Sequence, residues 1–67
     1  MIEVTINGKT QTVDSELTLA ELLERLSLNS RAIAVEINKQ LKPRNTHWQT
    51  VVEPGDVLEI VTLVGGG

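Results

Sequence analysis

Hydrophobic and polar positions alternate almost from the first residue: Ile2, Val4 and Ile6 are separated by Glu3 and Thr5, the period of two expected of a strand with one buried face. Asn7-Gly8 suits the two positive-φ positions of a type I′ turn, so Lys9 to Val13 should return as the hairpin partner. Asp14 and Ser15 break that strand. Thr18 and Glu21 then have the spacing of a capping box, and Leu19, Leu22, Leu23 and Leu26 fall on one helical face, opposite Glu21, Glu24 and Arg25. A helix with one apolar stripe needs a sheet to cover.

Alternation resumes at Ile33, Val35 and Ile37, and Asn38-Lys39 marks a second turn. Residues 41–44 can form a short strand, in which Pro43, lacking an amide hydrogen, belongs at an edge or a strand end. Residues 45–52 read as irregular or as one short helical turn around Trp48. Pro54 and Gly55 occupy the central positions of a type II turn ahead of the last strand. That strand is apolar at Val57, Leu58, Ile60, Val61, Leu63 and Val64, a density that predicts a central rather than an edge position. The order is ββαββ, an α+β fold in which a mixed sheet of four to five strands packs on one helix. If the last strand pairs with the first, this is a β-grasp arrangement, with a domain over residues 1–64 and a glycine tail over residues 65–67.

Composition narrows the chemistry. At 67 residues a single domain buries only about 60% of its unfolded surface, and with no Phe or Tyr the interior must be aliphatic. Cysteine is absent, which removes disulfides, thiolate metal ligands and a thiol nucleophile together. A formal net charge of −3 argues against nucleic acid as the main partner. No stretch reads as a signal peptide or a membrane span, so a cytoplasmic protein is expected.

The sequence runs from a strongly β-prone segment into Gly65, Gly66 and Gly67. Without Cβ atoms such a tail can thread a narrow channel, and fully extended it reaches about 10 Å beyond the strand. Its terminal group would be an ionised α-carboxylate, a poor electrophile until a partner activates it. The alternatives are a disordered end or an expression remnant.

Other candidate residues have plainer readings. Trp48 is read as a lid over one end of the core in preference to a partner anchor. His47, with no second His, no Cys and no carboxylate at metal spacing, is read as a solvated loop residue. Lys39, Lys42 and Arg44 gather three of the six basic residues; a solvated edge is the favoured account, and docking of Lys42 and Arg44 on an acidic partner the alternative. Glu21 and Glu24 are assigned to capping and solubility. Val61 and Leu63 are either core or an exposed apolar patch for a partner, and parity does not choose between them.

Taken together, the Asn7-Gly8 hairpin, the Leu19 to Leu26 stripe after Thr18, residues 34–38, Pro43-Arg44, Trp48, Gly55-Asp56 and the Gly66-Gly67 end resemble the ThiS family, sulfur carriers of thiamine biosynthesis within the ubiquitin-like β-grasp group. Gly65 departs from the pattern, where the family often has a small non-glycine residue. The resemblance implies that a ThiF-like activating enzyme adenylates Gly67. Sulfur from a cysteine desulfurase or other persulfide donor then gives a thiocarboxylate, and a ThiG-like thiazole synthase takes the sulfur, with Gly65 and Gly66 threading into each partner. The chain would be a cosubstrate and not an enzyme. It has no GxxxxGK[ST] phosphate loop, so ATP and magnesium are expected on the activating partner and no cofactor on this chain. The rival readings are the small subunit of molybdopterin synthase, a ubiquitin-like modifier joined to lysines through Gly67, and a plain interaction domain.

Overall fold

The computed structural model describes residues 1–63. Five strands, β1 (Ile2–Ile6), β2 (Lys9–Val13), β3 (Ile33–Ile37), β4 (Gln40–Leu41) and β5 (Val57–Thr62), form one sheet in the order β2-β1-β5-β3-β4. β5 lies between β1, to which it is parallel, and β3, to which it is antiparallel; β2 and β4 are the hairpin partners at the two edges. One helix, α1 (Leu19–Arg25), covers one face of the sheet. This is the β-grasp arrangement anticipated from the order of elements.

Both hairpins turn as their dipeptides demand. Asn7 and Gly8 have φ of 50° and 83°, and Asn38 and Lys39 have φ of 52° and 70°, the left-handed conformations of a type I′ turn. Gly55 has φ of 83° in the turn ahead of β5, where a side chain would be strained.

A seven-residue helix is far too short to persist alone, and α1 is held from outside. The Thr18 hydroxyl accepts from Glu21 N–H at 3.1 Å while the Glu21 carboxylate accepts from Thr18 N–H at 2.9 Å, a capping box of the kind that contributes about 1 kcal/mol. Leu19 N–H donates to Thr50 C=O and Val52 N–H to Leu17 C=O, tying the start of the helix to the segment ahead of β5. Leu19, Leu22 and Leu23 are buried against Val4, Ile6, Val35, Ile37, Val52 and Leu58. At about 1.5–3 kcal/mol for each fully buried aliphatic side chain, this contact holds the helix in place.

β5 is central, as its apolar density predicted, and its apolar run is buried on one face only. Leu58 is buried and Ile60 half-buried, while Val57 and Val61 are exposed, because one helix covers one face and leaves the other open. The short strand expected over residues 41–44 is Gln40–Leu41. Pro43 ends it and caps a 3₁₀ helix, Arg44–Gln49. Within that helix Trp48 is 62% exposed and His47 only 3%, the reverse of the lid and the solvated loop residue expected. The 3₁₀ helix packs against α1 and turns His47, not Trp48, inward. Among the described residues no helix is long and apolar enough to cross a membrane.

Candidate functional site

The glycines expected to carry the chemistry, Gly65, Gly66 and Gly67, lie outside the described residues. What is described is the strand that leads to them and how it is held. Around β5, Thr5 N–H donates to Asp56 C=O and Asn7 N–H to Leu58 C=O, both at 2.9 Å, and just past its end Leu63 N–H donates to Ala32 C=O at 2.7 Å.

Two asparagine side chains extend this ladder. Beyond Ile6 the first strand has turned away, and the Asn7 carboxamide takes the place of its next residue: Oδ1 accepts from Ile60 N–H at 2.7 Å and Nδ2 donates to Ile60 C=O at 3.1 Å. At the start of β5, Asn38 Oδ1 accepts from Val57 N–H at 3.0 Å while its Nδ2 donates to Asp56 Oδ1 at 3.1 Å. Asp56 Oδ2 in turn accepts from Glu53 N–H. Asparagine tolerates the left-handed conformation that each turn needs and also has the reach to hold a third strand. The turn signal was readable in the sequence; the clamp on β5 was not, because it depends on which strand lies beside each turn.

The residues considered for docking do not meet on one surface. Val61 and Leu63 are 55% and 51% exposed, so they are not core. Val61 lies opposite Ala34 on the open face of the sheet, beside a shallow depression of about 340 Å³ that Leu41, Lys39, Glu36 and Glu59 also border. This apolar ground ringed by charge adjoins the strand that leads to the tail. Lys42 is bound into the edge, its N–H on Val35 C=O and its C=O receiving His47 Nε2–H at 2.8 Å. Arg44 is on the helix side with His47 and Trp48. Of the basic cluster, only Lys39 borders the depression beside Val61.

His47 was missed as a structural residue. Its Nε2 donates to the Lys42 carbonyl, and its Nδ1 is buried and has no partner among the described residues. Among those residues, too, no three His, Asp or Glu side chains gather as a metal site.

The ThiS family model matches residues 4–67, and so takes in the three glycines. The sulfur carrier protein ThiS of Escherichia coli is 29% identical over 66 residues, which cover 98% of this chain and 100% of that protein. A thiazole synthase of Paramagnetospirillum magneticum is 38% identical over 98% of this chain, which spans only 20% of that protein's length. The crystal structure of the thiamine biosynthesis protein ThiS from Geobacter metallireducens superposes with a TM-score of 0.86 at 35% identity, covering 98% of this chain and 100% of that one, so the β-grasp fold is the ubiquitin-like one of these carriers. The chain belongs to the ThiS family, the sulfur carriers of thiamine biosynthesis.

Proposed function

We propose that the chain carries sulfur on Gly67 for assembly of the thiazole ring of thiamine, acting in the cytoplasm as a cosubstrate that other enzymes load and unload. The observation that carries this reading is the thiazole synthase relative. It holds, within one longer chain, a segment 38% identical to almost all of this one, an arrangement that supports thiazole synthase as the acceptor of the sulfur.

The tail chemistry follows from the reactivity of a carboxylate. Attack of a Gly67 carboxylate oxygen on the α-phosphorus of ATP gives an acyl adenylate and releases pyrophosphate. The terminal sulfur of a persulfide displaces AMP, and a thiol then cleaves the sulfur–sulfur bond, leaving a thiocarboxylate on Gly67. The persulfide comes from a cysteine desulfurase or a comparable donor. ATP and its magnesium are held by a ThiF-like activating enzyme, since this chain has no phosphate loop. Gly65 and Gly66 give the partner's groups backbone access at the reacting carbon. The open sheet face around Val61 and Leu63 adjoins β5 and is the docking ground this reading assigns to the loading enzyme.

Incubation with the activating enzyme, ATP, a persulfide donor and thiazole synthase should produce AMP, pyrophosphate and sulfur transfer in proportion to the carrier added. Attachment of Gly67 to lysines with no thiazole formed would instead favour a protein modifier.

A further inference from the structure

The reading above leaves unused a cleft on the helix side of the molecule. It has a volume of about 370 Å³ and lies among α1, the 3₁₀ turn Ser30–Ala32 and the 3₁₀ helix Arg44–Gln49. Leu23 and Leu28 give it apolar wall, and Trp48 lines it with an indole that is largely open to solvent. Arg31 and Arg44 line it as well, both exposed. The one ion pair among the described residues joins Arg25 to Asp14, so neither of these guanidiniums has a carboxylate of the described residues in salt-bridge range. With Glu24 the only acid on the cleft among the described residues, it is a locally positive spot on a chain of formal net charge −3.

Tryptophan and arginine are the side chains that most often dominate binding energy at protein interfaces, and the structure gives these no internal work. The cleft is also tied to the root of the tail. Arg31 sits in the same short turn as Ala32, whose C=O receives Leu63 N–H at 2.7 Å. A partner held in the cleft is therefore fixed relative to the point where the chain leaves the sheet.

We infer that this cleft docks an acidic segment of thiazole synthase: an apolar side chain packs on Trp48 and Leu28, and carboxylates on either side of it meet Arg31 and Arg44. It is a second contact, on the helix side of the sheet whose open face carries Val61. The inference rests on the tail being the group delivered.

The test uses the single tryptophan of the chain. Carrier labelled with 5-fluorotryptophan gives one fluorine resonance, followed during titration with thiazole synthase from the same organism and set beside sulfur delivery by the unlabelled protein. The resonance should shift on binding. The double substitution Arg31→Glu with Arg44→Glu, made at exposed positions that leave the core intact, should raise Kd at least about tenfold, and Trp48→Ala should weaken binding similarly by calorimetry. A carrier truncated before Gly65 should still shift the resonance. An unmoved resonance alongside normal sulfur delivery would overturn the cleft and leave the carrier function standing. A shifted resonance with no sulfur ever loaded on Gly67 would support the cleft and overturn the carrier function, while absence of both complex and delivery would overturn the two together.

Discussion

Asn7 and Ile60, 53 positions apart, are joined by two hydrogen bonds through one carboxamide, at 2.7 and 3.1 Å. The side chain that makes the first turn also keeps β5 paired for one more rung on its way to the tail. Glycine keeps the positive φ of that turn and removes the rung. Asn7→Gly should therefore lose about 1–2 kcal/mol, near the net worth of two such bonds. Urea denaturation measures the loss, and hydrogen exchange should accelerate at the Ile60 amide well before that of Val35. Equal exchange at both sites would show that Asn7 acts only in the turn.

The two faces of β5 should respond in opposite ways. Leu58 is buried under α1, and Leu58→Ala should cost about 2–5 kcal/mol, most of the stability of so small a domain. Val61 is on the open face, and Val61→Ala should change stability by less than about 0.5 kcal/mol. Val61→Glu, equally tolerated by the fold, should slow adenylation by a matched activating enzyme at least about tenfold. Thermal melts and pyrophosphate release separate the two effects.

Neighbouring residues in the 3₁₀ helix make a sharper contrast. His47→Ala removes a buried ring and the donor to Lys42 C=O and should cost about 2–4 kcal/mol. Trp48→Ala, although it removes the larger side chain, should cost less than about 1 kcal/mol in the free protein. Chemical denaturation of the two variants decides between this order and the one that residue size alone suggests.

That pair also marks where the sequence stopped being informative. Strict alternation at Ile2, Val4, Ile6 and at Ile33, Val35, Ile37 made two strands legible, and Asn7-Gly8, Asn38-Lys39 and Thr18 with Glu21 specified turns and a cap through local chemistry alone. The position of β5 could be inferred from its apolar density, but the exposure of Val61 could not, because it depends on how many helices cover the sheet. Residues 44–49 have no period to read. Which of His47 and Trp48 turns inward depends on how the 3₁₀ helix packs against α1, a tertiary relationship. The tail's role was suggested by the chemistry of a terminal glycine carboxylate and by resemblance to the ThiS family, and nothing in the packed domain substitutes for either.

Gly66→Val tests the threading requirement. The core is built from residues between Val4 and Leu58, so the melting temperature should stay within about 2 °C of the parent, as for a surface change. Adenylation should fall to background, because a branched Cβ next to the reacting residue blocks entry to a channel sized for glycine. A large loss of stability, or normal adenylation, would contradict this.

The most direct measurement is the intact mass of the protein after loading with activating enzyme, ATP and a persulfide donor. The expected result is the gain for replacing one oxygen by sulfur, localised to Gly67 by fragmentation and absent when one further residue follows Gly67. No gain, or a modification localised to any other residue, would contradict the account.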